Sequence, residues 1–196
     1  SALYTPIDEL HPLQGQSPYS ASKISADKLA EGYYNSFNLP VITVRPFNTY
    51  GPRQSSRAVI PTIISQLLTQ EKVILGDLSP VRDFTYVDDT ATGFLCAAKN
   101  DQHKGEVINL GYGKAASIGE TAEIIMKIMN LKKEIVSESS RIRPKNSEVL
   151  HLISDNKKAY DLIGWEPKVN FSAGLEKTIE FVSDNLDTFK TEFYNI

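Results

Sequence analysis

Ser17-Pro18-Tyr19-Ser20-Ala21-Ser22-Lys23, followed one helix-length later by Val41-Ile42-Thr43-Val44-Arg45-Pro46, is the stretch on which the fold turns. Ser17 supplies an N-cap and Pro18 a first-turn proline. Ile24, Leu29, Tyr33 and Phe37 recur at helical spacing, which predicts a helix from Pro18 to Phe37 ended by Asn38-Leu39-Pro40. Val41 to Val44 is a β-branched run without alternation, which predicts a strand covered on both faces, as in a parallel sheet. A helix feeding such a strand is half of an α/β repeat, so the fold class is α/β.

The rest of the chain continues that alternation. Ala2 to Gln16 is polar and proline-bearing, as a surface loop would be, and Arg45 to Ser56, with two prolines and Gly51, reads as a second loop. A helix is expected from near Pro61, a strand at Val73-Ile74-Leu75, a helix from Asp88 to Lys99 and a strand at Val107-Ile108-Asn109-Leu110. Ser117 with Glu120 forms a capping box for a helix through Met129. Asp155 is the expected N-cap of a helix to about Leu162 stopped by Gly164, and Ser172 to about Leu186 is a final amphipathic helix. Composition does not shift sharply, so the expected boundary rests on the long loop near Gly51 to Ser56: residues 1–56 in one unit and 57–196 in a second.

Composition narrows the function classes. The 196 residues are 41% apolar, ordinary for a packed globular protein, which excludes disordered and coiled-coil classes. A net charge of −3, with 21 basic and 24 acidic residues, provides no footprint for nucleic-acid binding. Cys96 is the sole cysteine, so no intrachain disulfide and no thiolate metal cluster can form; set in Phe94-Leu95-Cys96-Ala97-Ala98, it reads as a buried small hydrophobe. No apolar run approaches membrane-spanning length and no signal segment opens the chain. The expectation is a soluble cytoplasmic protein with no metal, membrane or nucleic-acid partner.

Tyr19 and Lys23 stand one turn apart on one helix face. A free tyrosine ionises near pH 10, so it serves as a base at neutral pH only when neighbouring positive charge favours the phenolate, which an ammonium four residues on can do. Bare i,i+4 spacing also describes a solvated surface pair, and nine tyrosines give such pairs by chance.

The surroundings separate those readings. Ser17 to Lys23, then Val41 to Val44 leading into Arg45-Pro46-Phe47-Asn48-Thr49-Tyr50-Gly51-Pro52-Arg53-Gln54, then Val81-Arg82-Asp83-Phe84-Thr85-Tyr86-Val87-Asp88-Asp89 and Arg143-Pro144, occur in the order seen in the extended short-chain dehydrogenase/reductase family. The chain closely resembles that family's nucleotide-sugar dehydratases and epimerases over essentially its whole length. The resemblance implies the C-terminal part of a Rossmann-like parallel-sheet fold plus a small α/β substrate-binding domain. It implies NAD as cofactor and a nucleotide-diphosphate sugar as substrate. Tyr19 would take the proton from a sugar hydroxyl while hydride leaves the same carbon for NAD; Lys23 would hold the nicotinamide ribose and lower the tyrosine pKa; Pro46 would lie beside the nicotinamide. Asn48 would reach the sugar or diphosphate from just past a strand end. Arg82 and Arg143 would clamp the diphosphate, as planar guanidinium forks suit phosphate oxygens. Glu148 matches a nucleotide-ribose position if two extra residues are allowed after Arg143-Pro144, and Arg57 is a further phosphate or hexose contact.

The stretch around Arg53 to Pro61 looks most like the branch of 4,6-dehydratases acting on acylamino-hexoses; a C4 epimerase is the alternative. Family members carry, ahead of the residues matching Ser1, a Gly-rich βαβ unit for the NAD pyrophosphate and a strand-end Ser or Thr that completes the Tyr-Lys machinery. Neither is in this sequence, so the expectation is the C-terminal part of a longer enzyme, with apolar surface on the Tyr19 helix and an open strand edge. Taken alone, the chain is expected to be a non-catalytic nucleotide-sugar binding module. Relatives dimerise through a four-helix bundle that includes the Tyr-Lys helix, implying a homodimer for the parent enzyme.

One competing signal remains. Gly111-Tyr112-Gly113-Lys114-Ala115-Ala116 follows an expected strand and precedes a capped helix, mimicking a dinucleotide fingerprint. The capping box already explains the following residues locally, and the family has a structural turn here, so the reading taken is a turn and not a cofactor loop.

Overall fold

A computed structural model describes residues 2–142 and 149–189. Helix α1 runs Pro18–Phe37 as expected: Ser17 accepts from the Ser20 amide at 3.1 Å, Ser20 Oγ accepts from the Ser17 amide at 2.9 Å, and Asn38 closes the far end in the left-handed conformation. Strand β1 follows at Thr43–Pro46, two residues later than the apolar run suggested. The expected loop after it is interrupted by a second strand, β2, Asn48–Tyr50. Then come α2 (Val59–Thr69), β3 (Lys72–Leu75), β4 (Val81–Tyr86), α3 (Val87–Ala98), β5 (Val107–Leu110), β6 (Ala115–Ser117), α4 (Ile118–Ile128), β7 (Glu134–Ser137), β8 (His151–Leu152), α5 (Lys157–Ile163) and α6 (Phe171–Asp184).

Among the described residues the strands form three small sheets. β1 pairs parallel with β5, Thr43 opposite Val107 and Pro46 opposite Leu110. β2 pairs parallel with β4, which also pairs antiparallel with β6 and parallel with β8; β3 pairs parallel with β7. The chain therefore changes sheets across one residue, Phe47, between Pro46 at the end of β1 and Asn48 at the start of β2.

The larger core lies between α2, α4, α6 and β2 to β4, with Ile60, Ile63, Ile64, Leu67, Val73, Ile125 and Leu175 removed from solvent. Fully burying each such side chain contributes about 1.5–3 kcal/mol. A smaller core of Ile108, Leu110, Ala159 and Trp165 sits under β1 and β5. The expectation that Val41 to Val44 is covered on both faces fails: these residues stay partly exposed. α1 buries no residue, and Leu29, Tyr33 and Phe37 on it are 63%, 49% and 75% exposed. Helix formation here rests on local caps, while attachment rests on few contacts, among them Tyr34, whose ring lies where a Cβ on Gly105 would be.

Three smaller expectations are corrected. Asn156, not Asp155, occupies the N-cap of α5; Asp155 instead accepts from the Lys157 amide at 2.8 Å. α6 begins one residue earlier, with Asn170 accepting from the Ala173 amide at 2.9 Å as its cap. Cys96 is only partly buried, packed against the smaller core. The capping box of α4 and the left-handed Gly164 after α5 form as expected. No helix among the described residues is long and apolar enough to cross a membrane, and no cluster of metal-ligating side chains occurs among them.

Candidate functional site

Two clefts take their lining from either side of the sheet change, Phe47 in the first and Asn48 in the second. The first, about 740 Å³, is bounded by the segment before α1, one face of α1 and the end of β1. Tyr19, Lys23 and Pro46 all line it. The i,i+4 spacing places Lys23 Nζ 5.5 Å from the centre of the Tyr19 ring, so ammonium and phenol share one face, and the tyrosine is 72% exposed. Asp27 and Arg45 line the same cleft, joined by a 2.6 Å bond from Arg45 Nε to Asp27 Oδ2. His11 also faces it; its Nε2 accepts from the Leu3 amide, leaving Nδ1 to donate to the Pro12 carbonyl.

The second cleft, about 480 Å³, holds Asn48, Arg57 and Arg82, three of the residues expected to bind substrate. Asn48 Nδ2 and Gln54 Oε1 are buried there with no hydrogen-bond partner among the described residues, an unmet donor and an unmet acceptor. Each costs free energy unless a ligand or water meets it. Arg82 enters from β4; its Nη1 donates to the carbonyls of Val81 and Val149, which fixes the guanidinium plane. Asp77 sits across the cleft, its carboxyl held below the usual range first by the Ser79 amide and also by the Arg82 charge. Arg141 lines the cleft as well, donating to Glu138 at 2.8 Å and to the Ile74 carbonyl at 3.0 Å. Arg143 and Glu148 lie outside the described residues.

The Gly-rich turn is built for another purpose. Asp83, fully buried on β4, accepts from the amides of Tyr112 at 2.6 Å, Gly113 at 2.9 Å and Ser154 at 3.0 Å, and from Ser154 Oγ at 2.8 Å. Asn156 closes it from the other side by bonding both the amide and the carbonyl of Gly111. Gly111 must be glycine, since a Cβ there would come within 1.9 Å of Ser154 Oγ. Backbone donors that a pyrophosphate would need are thus committed to an internal carboxylate, and residues 111–116 do not fit as a phosphate loop.

Sequence reading missed several cleft residues. Asp27 carried a usable signal, four positions beyond Lys23; so did Arg45, immediately before Pro46. Gln54, Asp77 and Arg141 carried none, because only the return of β2, β3 and the segment after β7 to one place makes them neighbours.

The α/β scaffold carries a Tyr-Lys face in one cleft and arginines in a second, polar cleft. Residues 1–178 match the family model described as GDP-mannose 4,6 dehydratase. The chain is 32% identical over 186 residues to a putative UDP-glucose 4-epimerase of Methanocaldococcus jannaschii, covering 93% of this chain and 58% of that protein. Its structure resembles dTDP-glucose 4,6-dehydratase from Bacillus anthracis, solved in complex with NAD, with a TM-score of 0.87, 30% identity and coverage of 97% of this chain and 60% of that one. It resembles UDP-glucuronic acid 4-epimerase from Bacillus cereus, solved with UDP-glucuronic acid and NAD, with a TM-score of 0.87, 29% identity and coverage of 94% and 58%. The chain belongs to the extended short-chain dehydrogenase/reductase family of nucleotide-sugar dehydratases and epimerases. It spans a little over half the length of the curated relatives it matches.

Proposed function

We propose that the complete protein is an NAD-dependent nucleotide-diphosphate-sugar 4,6-dehydratase, with an acylamino-hexose as the favoured substrate. The observation that carries this is the shared face of Tyr19 and Lys23 in the cleft that Pro46 borders, one residue's step from the cleft of Asn48, Arg57 and Arg82. Substrate spanning the sheet change would put its sugar near the phenol and its diphosphate near the arginines. The Tyr19 oxygen takes the proton of the C4 hydroxyl, and Lys23 stabilises the phenolate and hydrogen-bonds a ribose. NAD, when bound, supplies the hydride acceptor and donor. Pro46 offers an apolar wall to the nicotinamide, and Asn48 Nδ2 donates into the substrate cleft.

Arg82, with Arg57 and Arg143, neutralises the diphosphate, and Glu148 meets the nucleotide ribose. The NAD pyrophosphate would be held by residues outside this chain, since the Gly111 to Gly113 amides serve Asp83. The division into residues 1–56 and 57–196, a cytoplasmic location and a homodimer belong to the same reading. A C4 epimerase is the second reading, favoured by the 32% identity to a putative UDP-glucose 4-epimerase.

The test is turnover by the complete protein with NAD and UDP-, dTDP- and GDP-hexoses, with and without an acylamino group. A 4-keto-6-deoxy product supports the dehydratase; a C4 epimer without elimination replaces it with the second reading. Tyr19→Phe is expected to abolish turnover while leaving nucleotide-sugar affinity within about twofold, because it removes only the proton-transfer group.

A further inference from the structure

Tyr19, Lys23 and Asp27 succeed one another at four-residue intervals, so α1 presents phenol, ammonium and carboxylate in one row. Such a row has an internal conflict. A lysine flanked by a tyrosine one turn before and an aspartate one turn after would pair with the aspartate, the charged partner. Among the described residues Lys23 forms no ion pair and lies toward the Tyr19 ring instead. Asp27 is drawn the other way, to Arg45 on β1, at 2.6 Å and with both side chains only 22–23% exposed.

We propose that Arg45 is a positioning residue: by holding the Asp27 carboxylate it keeps the Lys23 ammonium for Tyr19 and the cofactor ribose. The inference rests on the reading of Tyr19 as the acid/base. Few other charges in the cleft compete. Asp8, from the segment before α1, accepts from the Tyr4 hydroxyl at 2.6 Å and from the Leu10 amide at 3.1 Å. His11, from the same segment, has both ring nitrogens engaged by backbone. From β1 the only ionisable side chain is Arg45 itself. Glu31, one turn further along the row, pairs with Lys28 at 2.6 Å, so Asp27 is the carboxylate within one turn of Lys23 and Arg45 the group that decides where it points. Because Arg45 immediately precedes Pro46, the same residue ties the catalytic helix to the strand whose end would meet the nicotinamide.

The test compares pH–rate profiles of the complete protein and its variants, each checked for folding by thermal unfolding. Arg45→Gln releases Asp27 to Lys23. The rise of turnover with pH is expected to move upward by about one pH unit, so that activity near neutrality falls about tenfold and returns at higher pH. Arg45→Gln combined with Asp27→Asn removes the competing carboxylate, and the profile is expected to return to that of the parent. A loss in Arg45→Gln that is equal at all pH values and is not relieved by Asp27→Asn would mean that the pair serves only to attach the helix, and would overturn the proposal. Should Arg45→Gln fail to fold, Arg45→Met, which keeps the apolar stem and removes the cation, gives the same comparison with and without Asp27→Asn. Tyr19→Phe keeps the two inferences apart: persistent turnover removes Tyr19 from catalysis, whereas a silent Tyr19→Phe with an unmoved Arg45→Gln profile removes only the role given to Arg45.

Discussion

The Gly113 amide donates to Asp83 Oδ2 at 2.9 Å, so that a turn with the spacing of a cofactor loop is closed around a carboxylate of its own chain. An anion already occupies the position where a pyrophosphate would have to bind. Asp83→Asn is expected to be costly, because a single amide oxygen cannot replace two carboxylate oxygens, and the new NH2 would face donors. About 3 kcal/mol of stability should be lost, read as a lower urea midpoint. The folded fraction should bind NAD as the parent does. Weaker NAD binding by correctly folded protein would return the turn to the cofactor site.

The unmet Asn48 donor makes a sharper prediction than simple deletion. If Nδ2 donates to a phosphate or sugar oxygen, Asn48→Asp both removes the donor and places negative charge beside the diphosphate. Calorimetry with nucleotide-diphosphate sugars should show Asn48→Asp binding more weakly than Asn48→Ala, with the parent tightest. Arg82→Lys should lose about tenfold in affinity, since an ammonium cannot present the planar fork. An Asn48→Ala protein that binds as tightly as the parent would exclude a donor role.

Alkaline titration provides a pH test on the segment beside the Tyr19 cleft. The hydrogen bond to Asp8 pushes the Tyr4 phenol from 10.0 up to about 12, with burial and the Asp8 charge adding to it. A raised folded value means that this stabilisation is complete below about pH 10 and is lost as pH climbs toward 12. Buried Tyr50 and Tyr86 are shifted upward as well, first by desolvation. The Asp8→Asn difference isolates Tyr4: one phenol should ionise near pH 10 in the variant, seen in ultraviolet absorbance, and stability should fall less between pH 10 and 12. An unchanged titration would mean that the Tyr4 to Asp8 bond is not formed in solution.

The legible part of the fold was the part made by local rules. Ser17-Pro18, the Ser117 and Glu120 capping box and Gly164 marked their helix ends because caps depend on residues within a few positions of each other. β2 was hidden inside a stretch whose prolines and glycine read as a loop, because three residues are too few for periodicity to register. β6 and β8, three and two residues long, escaped for the same reason, whereas β7 and the six-residue β4 escaped because charged residues break up their apolar pattern. Val41 to Val44 looked covered on both faces because its composition is that of a central strand, whereas among the described residues β1 pairs only with β5.

What the sequence by itself determined is the α/β class, the shared helix face of Tyr19 and Lys23, and the set of residues able to meet an anion, because helix period and side-chain chemistry are local properties. Only the tertiary structure decided which residues share a cleft. The single-residue passage at Phe47 from one sheet to another, the capture of Asp27 by Arg45 across 18 positions and the commitment of the glycine turn to Asp83 are long-range contacts. Such contacts arise from burial and pairing between distant segments, for which spacing along the chain has no code.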